Sequence, residues 1–173
     1  MFEIESRNPD EIILTTKKAE IKFNVAAETI DAKLEVGKIT GPGEFEIGDV
    51  AIRGIAVGAS GKTAVGEGSS ELDKALNVGG GRTIYDAVVG NVHIGIIGGI
   101  EDAKALDDLG MSDVLCTSSV RAVREIEPKV VVAMGNVDGM VTELKLTPRA
   151  EKKFKLKNRE ALPMALEVVA LAS

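Results

Sequence analysis

The sequence predicts an α/β chain of the α+β kind, rich in strands in its first half. Three observations carry this prediction. Apolar and polar residues alternate at period two between Phe2 and Arg53, the spacing of half-buried strands. From Thr83 to Met134 the pattern becomes strand, helix, strand, helix, strand, an order that builds parallel or mixed sheet with covering helices. The chain has 173 residues of which 45% are hydrophobic, enough for one compact domain spanning 1–173. Aromatic residues make up only 3% and Trp is absent, so Val, Ile, Leu and Ala must build the core.

Taken in order, Phe2-Glu3-Ile4-Glu5 alternates. Ile12-Ile13-Leu14 and Ile21-Lys22-Phe23 follow, separated by a polar turn at Thr16-Lys17-Lys18. Ile30 to Val36 alternates again, with Ile30, Ala32, Leu34 and Val36 on one face. Gly41-Pro42-Gly43 is a strong turn signal. Phe45-Glu46-Ile47 and Val50–Arg53 flank Gly48-Asp49, the pattern of a hairpin. Residues 58–81 are rich in Gly and Ser and read as a long loop, with a helical turn near Ser70–Leu76 as an option. Thr83–Val89 and Val92–Ile97 read as a hairpin around Gly90-Asn91. Asp102–Leu109 has helical spacing and stops at Gly110. Asp113–Thr117 reads as a buried strand, Ser119–Glu127 as a helix stopped by Pro128, and Lys129–Met134 as a near-continuous apolar strand. Lys153–Lys157 and Leu166–Ala170 complete the strands. Lys153, Lys155, Lys157 and Arg159 alternate, which places them on the wet face of a strand.

Charge and cysteine content exclude some functions. The formal net charge is −6 and no basic stripe exists, so nucleic acid is not an expected partner. A single cysteine, Cys116, forbids an internal disulfide and suits a reducing cytoplasm. No apolar run follows a charged start and none is long enough for a membrane span, so a cytoplasmic protein without membrane contact is expected.

Several of these segments resemble the small metallo-β-lactamase-fold proteins classed as metal-dependent hydrolases. The most specific is Gly41-Pro42-Gly43-Glu44-Phe45-Glu46-Ile47, followed by Val50-Ala51-Ile52-Arg53-Gly54-Ile55; members of that family carry a similar Gly-Pro-Gly-Glu-aromatic-Glu stretch before a short strand. Thr83-Ile84-Tyr85, Leu109-Gly110-Met111-Ser112-Asp113, Ile126-Glu127-Pro128-Lys129-Val130 and the tail from Lys155 to Pro163 match as well. The resemblance implies a four-layer αββα sandwich, here β-rich and reduced in its N-terminal half. It also marks where the chain departs from the family. The family's His-x-His-x-Asp-His stretch is missing: Asn24 runs through Val25, Ala26 and Ala27 toward the next strand. Gly99 stands where a ligand Asp is expected. Gly135-Asn136 follows Ala133-Met134 where the last His would stand.

A count supports the same conclusion without the family. Catalytic zinc takes about three protein ligands, mostly His, and this chain has one His and one Cys. No metal and no other cofactor is therefore expected from His or Cys. Carboxylates alone suit Mg²⁺ or Mn²⁺. His93 reads as a half-buried structural residue in a strand, and Cys116 as a small buried hydrophobe. Gly58-Ala59-Ser60-Gly61-Lys62-Thr63 ends like a phosphate-binding loop, yet the first glycine is misplaced and no helix-forming segment follows Thr63. No Gly-x-Ser-x-Gly elbow occurs. Gly99, Glu101, Asp102, Gly135, Asn136 and Asp138 would line a vestigial cleft, with Asp102 also suited to a helix cap and Asn136 and Asp138 to a turn.

The reading is a degenerate, non-catalytic metallo-β-lactamase-like protein, serving as a binding or self-assembly module with no identified small-molecule ligand. A homo-oligomer is expected, since few helices are available to cover the N-terminal sheet. The alternatives are a hydrolase using carboxylates at Glu101, Asp102 and Asp138 with Mg²⁺ or Mn²⁺, and a nucleotide-binding protein using the 58–63 loop.

Overall fold

A computed structural model describes residues 1–32, 38–58 and 82–172. In chain order the strands are β1 (Phe2–Asn8), β2 (Glu11–Thr15), β3 (Glu20–Asn24), β4 (Thr29–Asp31), β5 (Ile39–Thr40), β6 (Gly43–Ile47), β7 (Val50–Val57), β8 (Arg82–Val89) and β9 (Val92–Gly98). Then follow α1 (Ala103–Leu109), β10 (Val114–Thr117), α2 (Val120–Ile126), β11 (Val130–Ala133) and α3 (Val137–Leu144). The chain closes with β12 (Arg149–Glu151), β13 (Phe154–Leu156), a 3-10 turn at Arg159–Ala161 and β14 (Glu167–Leu171).

These strands form two sheets. The first is antiparallel throughout, in the order β13-β1-β2-β3-β4-β5. The second runs β12-β14-β11-β10-β9-β8-β7-β6. Its half from β12 to β9 is parallel, and its half from β9 to β6 is built from hairpins. Parallel strands need crossover connections, and α1 and α2 supply two of them.

The sheets pack face to face around one apolar layer. Ile4, Ile12, Leu14, Ile21, Phe23 and Ile30 enter it from the first sheet, and Ile52, Ile94, Ile96, Cys116, Val130 and Val132 from the second. Alternation sends Ile84, Ile97, Leu115, Val131 and Val168 to the opposite face of the second sheet, where Leu106, Leu109, Val123 and Met140 of the helices meet them. This explains why β10 and β11 read as unbroken apolar runs: every residue in both strands is buried.

Among the described residues no helix lies on the outer face of the first sheet. That face is polar. Lys153 pairs with Glu5 at 2.6 Å and Lys155 with Glu3 at 2.8 Å, across the β13–β1 register. Burying an uncovered apolar face was the reason to expect a homo-oligomer, and this face presents paired charges instead. Arg159 departs from the expected wet strand face: it sits in the 3-10 turn and reaches Asp113 at 3.2 Å.

Helix α3, β12 and the two-residue β5 were not expected either. Asn136 and Asp138, expected as turn residues, belong to α3. Asn136 caps that helix through a bond from the Gly139 amide to its Oδ1, and Asp138 occupies the first turn. The apolar spacing Val137, Met140, Val141, Leu144 is helical, but Gly139 and Thr142 are weak helix formers and mask it. β12 is too short to show a period. The proposed helical turn and the phosphate-loop lookalike, together with Leu34 and Val36 of the expected Ile30–Val36 strand, fall outside the described residues.

Gly41 and Pro42 form one of the links between the two sheets, joining β5 to β6. Their backbone crosses β7 at Gly54, where an added Cβ would meet Gly41 O at 3.1 Å and Pro42 Cα at 3.2 Å. Gly43 and Gly54 are register partners. The motif that carried the resemblance is therefore a close backbone crossing, and Glu44 beside it is exposed.

Ile94→Ala, at a position 0% exposed between the sheets, is expected to cost about 2–5 kcal/mol in urea unfolding, against less than about 0.5 for Lys104→Ala on the outside of α1. The hydrogen bond from Lys155 holds the Glu3 carboxyl below its ordinary value of 4.5. The stabilisation from Glu3 is thus present above that value and lost as pH falls through the lowered one. Unfolding measured from about pH 7 down to about pH 3 should show Glu3→Gln less stable than the parent at the upper end, with the gap closing at the lower end.

Candidate functional site

Of the residues expected to line a vestigial cleft, Gly99, Glu101 and Asp102 follow the carboxyl end of β9, and Gly135, Asn136 and Asp138 follow that of β11. Several glycines at these strand ends have neighbouring atoms close to where a Cβ would stand. β9 ends at Gly98, which takes φ +56, a conformation that favours glycine. A Cβ there would lie 2.9 Å from Val25 Cγ1. At Gly99 a Cβ would meet Ser118 Oγ at 3.1 Å, and at Gly135 it would rest 3.5 Å from Pro9 Cβ. Val25 follows β3 and Pro9 lies between β1 and β2, so two turns of the first sheet reach over the strand ends of the second. Val25 is fixed there by its amide, which donates to Asp10 O at 2.9 Å.

The polar rim is committed to the backbone. Thr117 is fully buried and its hydroxyl donates to Gly98 O at 2.6 Å, while the Ser119 amide donates back to Thr117 Oγ1. Ser119 caps α2 by accepting from the Ala122 amide, and its own hydroxyl donates to Glu101 Oε1 at 2.7 Å. Asp102 caps α1, accepting from the Ala105 amide at 2.8 Å. Asn136 does the same for α3. Glu101, Asp102 and Asn136 thus have structural occupations that account for their presence at helix starts. Asp138, in the first turn of α3, suits the positive end of that helix.

The resemblance would place a zinc centre here, and the residues present do not fit one. Among the described residues no group of three His, Cys, Asp or Glu side chains is arranged to share a cation. His93 begins β9 while Gly98 ends it, a separation of roughly 16 Å at the rise of a strand. Cys116 points into the layer between the sheets, and burial pushes its thiol up to about 12, which suppresses the thiolate that metals bind.

The opposite ends of the strands hold a cluster that the sequence reading passed over. Arg53 on β7 and Asp86 on β8 are register partners, and their side chains meet at 3.4 Å. Asp86 also lies 3.3 Å from His93 Nδ1. The His93 amide donates to Asp113 Oδ2 at 2.9 Å, and Arg159 donates to the other oxygen at 3.2 Å. Arg53 donates as well to Leu109 O at the end of α1, where helix carbonyls lack partners. Both carboxylates are sunk beneath their cations: Asp86 is 6% exposed against 44% for Arg53 and for His93. Burial raises the Asp86 carboxyl above its ordinary value, against the opposing pull of His93 and Arg53. A cleft of about 450 Å³ opens over Arg53, His93 and Arg159. The signal was present in part: His93 is half-buried as expected, but only strand pairing shows that it shares a face with Asp86 and Arg53.

With this geometry in place, the comparisons with known proteins bear on the fold alone. A crystal structure from Thermotoga maritima, described as a Zn-dependent hydrolase of the metallo-β-lactamase superfamily, is similar to this chain with a TM-score of 0.67. The match covers 99% of this chain and 98% of the other at 13% sequence identity. Neither a family model nor a curated protein matches the sequence. The architecture is therefore that of a metallo-β-lactamase-like fold, rich in sheet, with three helices among the described residues.

Gly98→Ala is expected to destabilise the fold by about 1–3 kcal/mol through the Val25 clash and the positive φ. In a double-mutant cycle with Val25→Ala, a coupling of at least about 0.5 kcal/mol should appear, since removing Val25 relieves the clash but not the backbone strain.

Proposed function

We propose that this chain is a non-catalytic metallo-β-lactamase-fold protein whose role is binding, without a zinc centre. The observation that carries this reading is the packing at the carboxyl ends of β9 and β11. A Cβ at Gly98 would lie 2.9 Å from Val25 Cγ1 and one at Gly135 3.5 Å from Pro9 Cβ, beside the strand ends where the resemblance implies metal ligands. The donor count points the same way, with one histidine in the whole chain. The carboxylate alternative is weakened because Glu101 and Asp102 are occupied by Ser119 and the start of α1. Self-association remains part of the proposal and is measured by light scattering. Among the described residues no helix is long and apolar enough to cross a membrane.

Protein equilibrated with excess Zn²⁺, Mg²⁺ or Mn²⁺ and then desalted should carry well under one metal per chain by elemental analysis, and should cleave neither phosphodiester nor lactam test substrates. Stoichiometric metal that disappears in Asp102→Ala or Asp138→Ala would overturn the reading in favour of a carboxylate hydrolase.

A further inference from the structure

The cluster around Arg53 and Asp86 separates two adjoining clefts of opposite character. On one side lies the 450 Å³ cleft bounded by Arg159, His93 and Arg53, with Leu109 and the exposed Met111 as its apolar lip. On the other lies a cleft of about 470 Å³ over β6 and β7, bounded on this face by Glu44, Glu46 and the apolar Val88. Arg53 and Asp86 line both. Glu44 and Glu46 are exposed and have no ion-pair partner among the described residues. The cations on the other side are held in place from below by Asp86 and Asp113, while 44–45% of each arginine and of His93 remains exposed.

A simple anion would suit Arg159 and Arg53 but would face Glu44 and Glu46 nearby; a simple cation would meet the reverse. A ligand with an ammonium at one end and a carboxylate at the other satisfies both halves. We infer that the paired clefts on the helix-side face of β6–β9 form one binding groove for a short zwitterionic peptide, its carboxylate toward Arg159 and His93 and its ammonium toward Glu44 and Glu46. The length follows from the sheet. From β6 to β9 is three strand spacings, about 14 Å, which an extended peptide of roughly three or four residues spans. Each cleft falls within the roughly 300–1,000 Å³ typical of small-ligand sites. Arg159 and Arg53, anchored by buried carboxylates, lose little side-chain freedom when they bind a second carboxylate, which favours recognition by these residues.

The inference rests on the binding role proposed above and is tested separately from it. Unlabelled tetra-alanine is titrated into the ¹⁵N-labelled full chain at low salt and neutral pH, following amide shifts. Saturable one-to-one shifts at His93, Asp113 and the β6 amides are expected. N-acetylated and C-amidated tetra-alanine should each bind about tenfold more weakly, the usual scale for losing one charge-assisted hydrogen bond. Arg159→Gln should erase the preference for the free carboxylate, and Glu44→Gln with Glu46→Gln the preference for the free ammonium. Arg121→Gln, in an exposed ion pair on α2, should change neither. Because Glu44 and Glu46 are exposed, their double variant keeps the test usable if Arg159→Gln fails to fold. No saturation by about 10 mM, equal binding of the blocked peptides, or equal binding of inorganic phosphate alone would overturn the groove. Cleavage of the bound peptide would support the groove and overturn the non-catalytic reading, whereas bound stoichiometric metal would overturn that reading alone.

Discussion

The fold depends on the parallel strands β9, β10, β11 and β14 having two apolar faces. No strand in that position is stable with either face in water, since each buried aliphatic side chain contributes roughly 1.5–3 kcal/mol through its removal from solvent. One face is covered by the six-stranded sheet, meeting Ile94, Ile96, Cys116, Val130 and Val132. The other is covered by α1, α2 and α3, meeting Ile97, Leu115, Val131 and Val168. The antiparallel sheet has a lighter requirement. Its inner face completes the shared core, and its outer face is satisfied by ion pairs such as Lys155–Glu3 and Lys153–Glu5, which suit water.

Closing the sandwich also determines what lies at its ends. The β1–β2 turn and the segment after β3 must go somewhere once their strands are pressed against the second sheet, and they come to rest over the ends of β9 and β11. Glycines at 98 and 135 let them approach, with Val25 beside Gly98 and Pro9 beside Gly135. The helix starts next to them take up the neighbouring polar side chains.

The other end of the strands follows different physics. Asp86 and Asp113 are nearly buried, and a buried carboxylate is costly unless paired. Arg53, His93, Arg159 and the His93 amide meet that need, drawing strand, hairpin, helix end and C-terminal segment into one network. Polar groups concentrated this way also leave an open groove of mixed charge. The chain thus has a packed end and a polar end, and the binding role proposed for it belongs to the polar one.

Much of this was legible from the amino acids alone. Period-two alternation placed β1, β2, β3, β6 and β7. The runs Asp113–Thr117 and Lys129–Met134 announced buried strands, and Asp102, Gly110, Ser119 and Pro128 marked the limits of α1 and α2. Helix α3 was hidden because Gly139 and Thr142 weaken a signal that tertiary contacts of Val137, Met140 and Val141 restore. The Arg53, Asp86, His93, Asp113 and Arg159 cluster was hidden for a stronger reason. Its members lie as much as 106 positions apart, from 53 to 159, and only strand register brings them onto one face. Local periodicity determines which residues can be buried or exposed; which charges become neighbours is decided when the sheets pair.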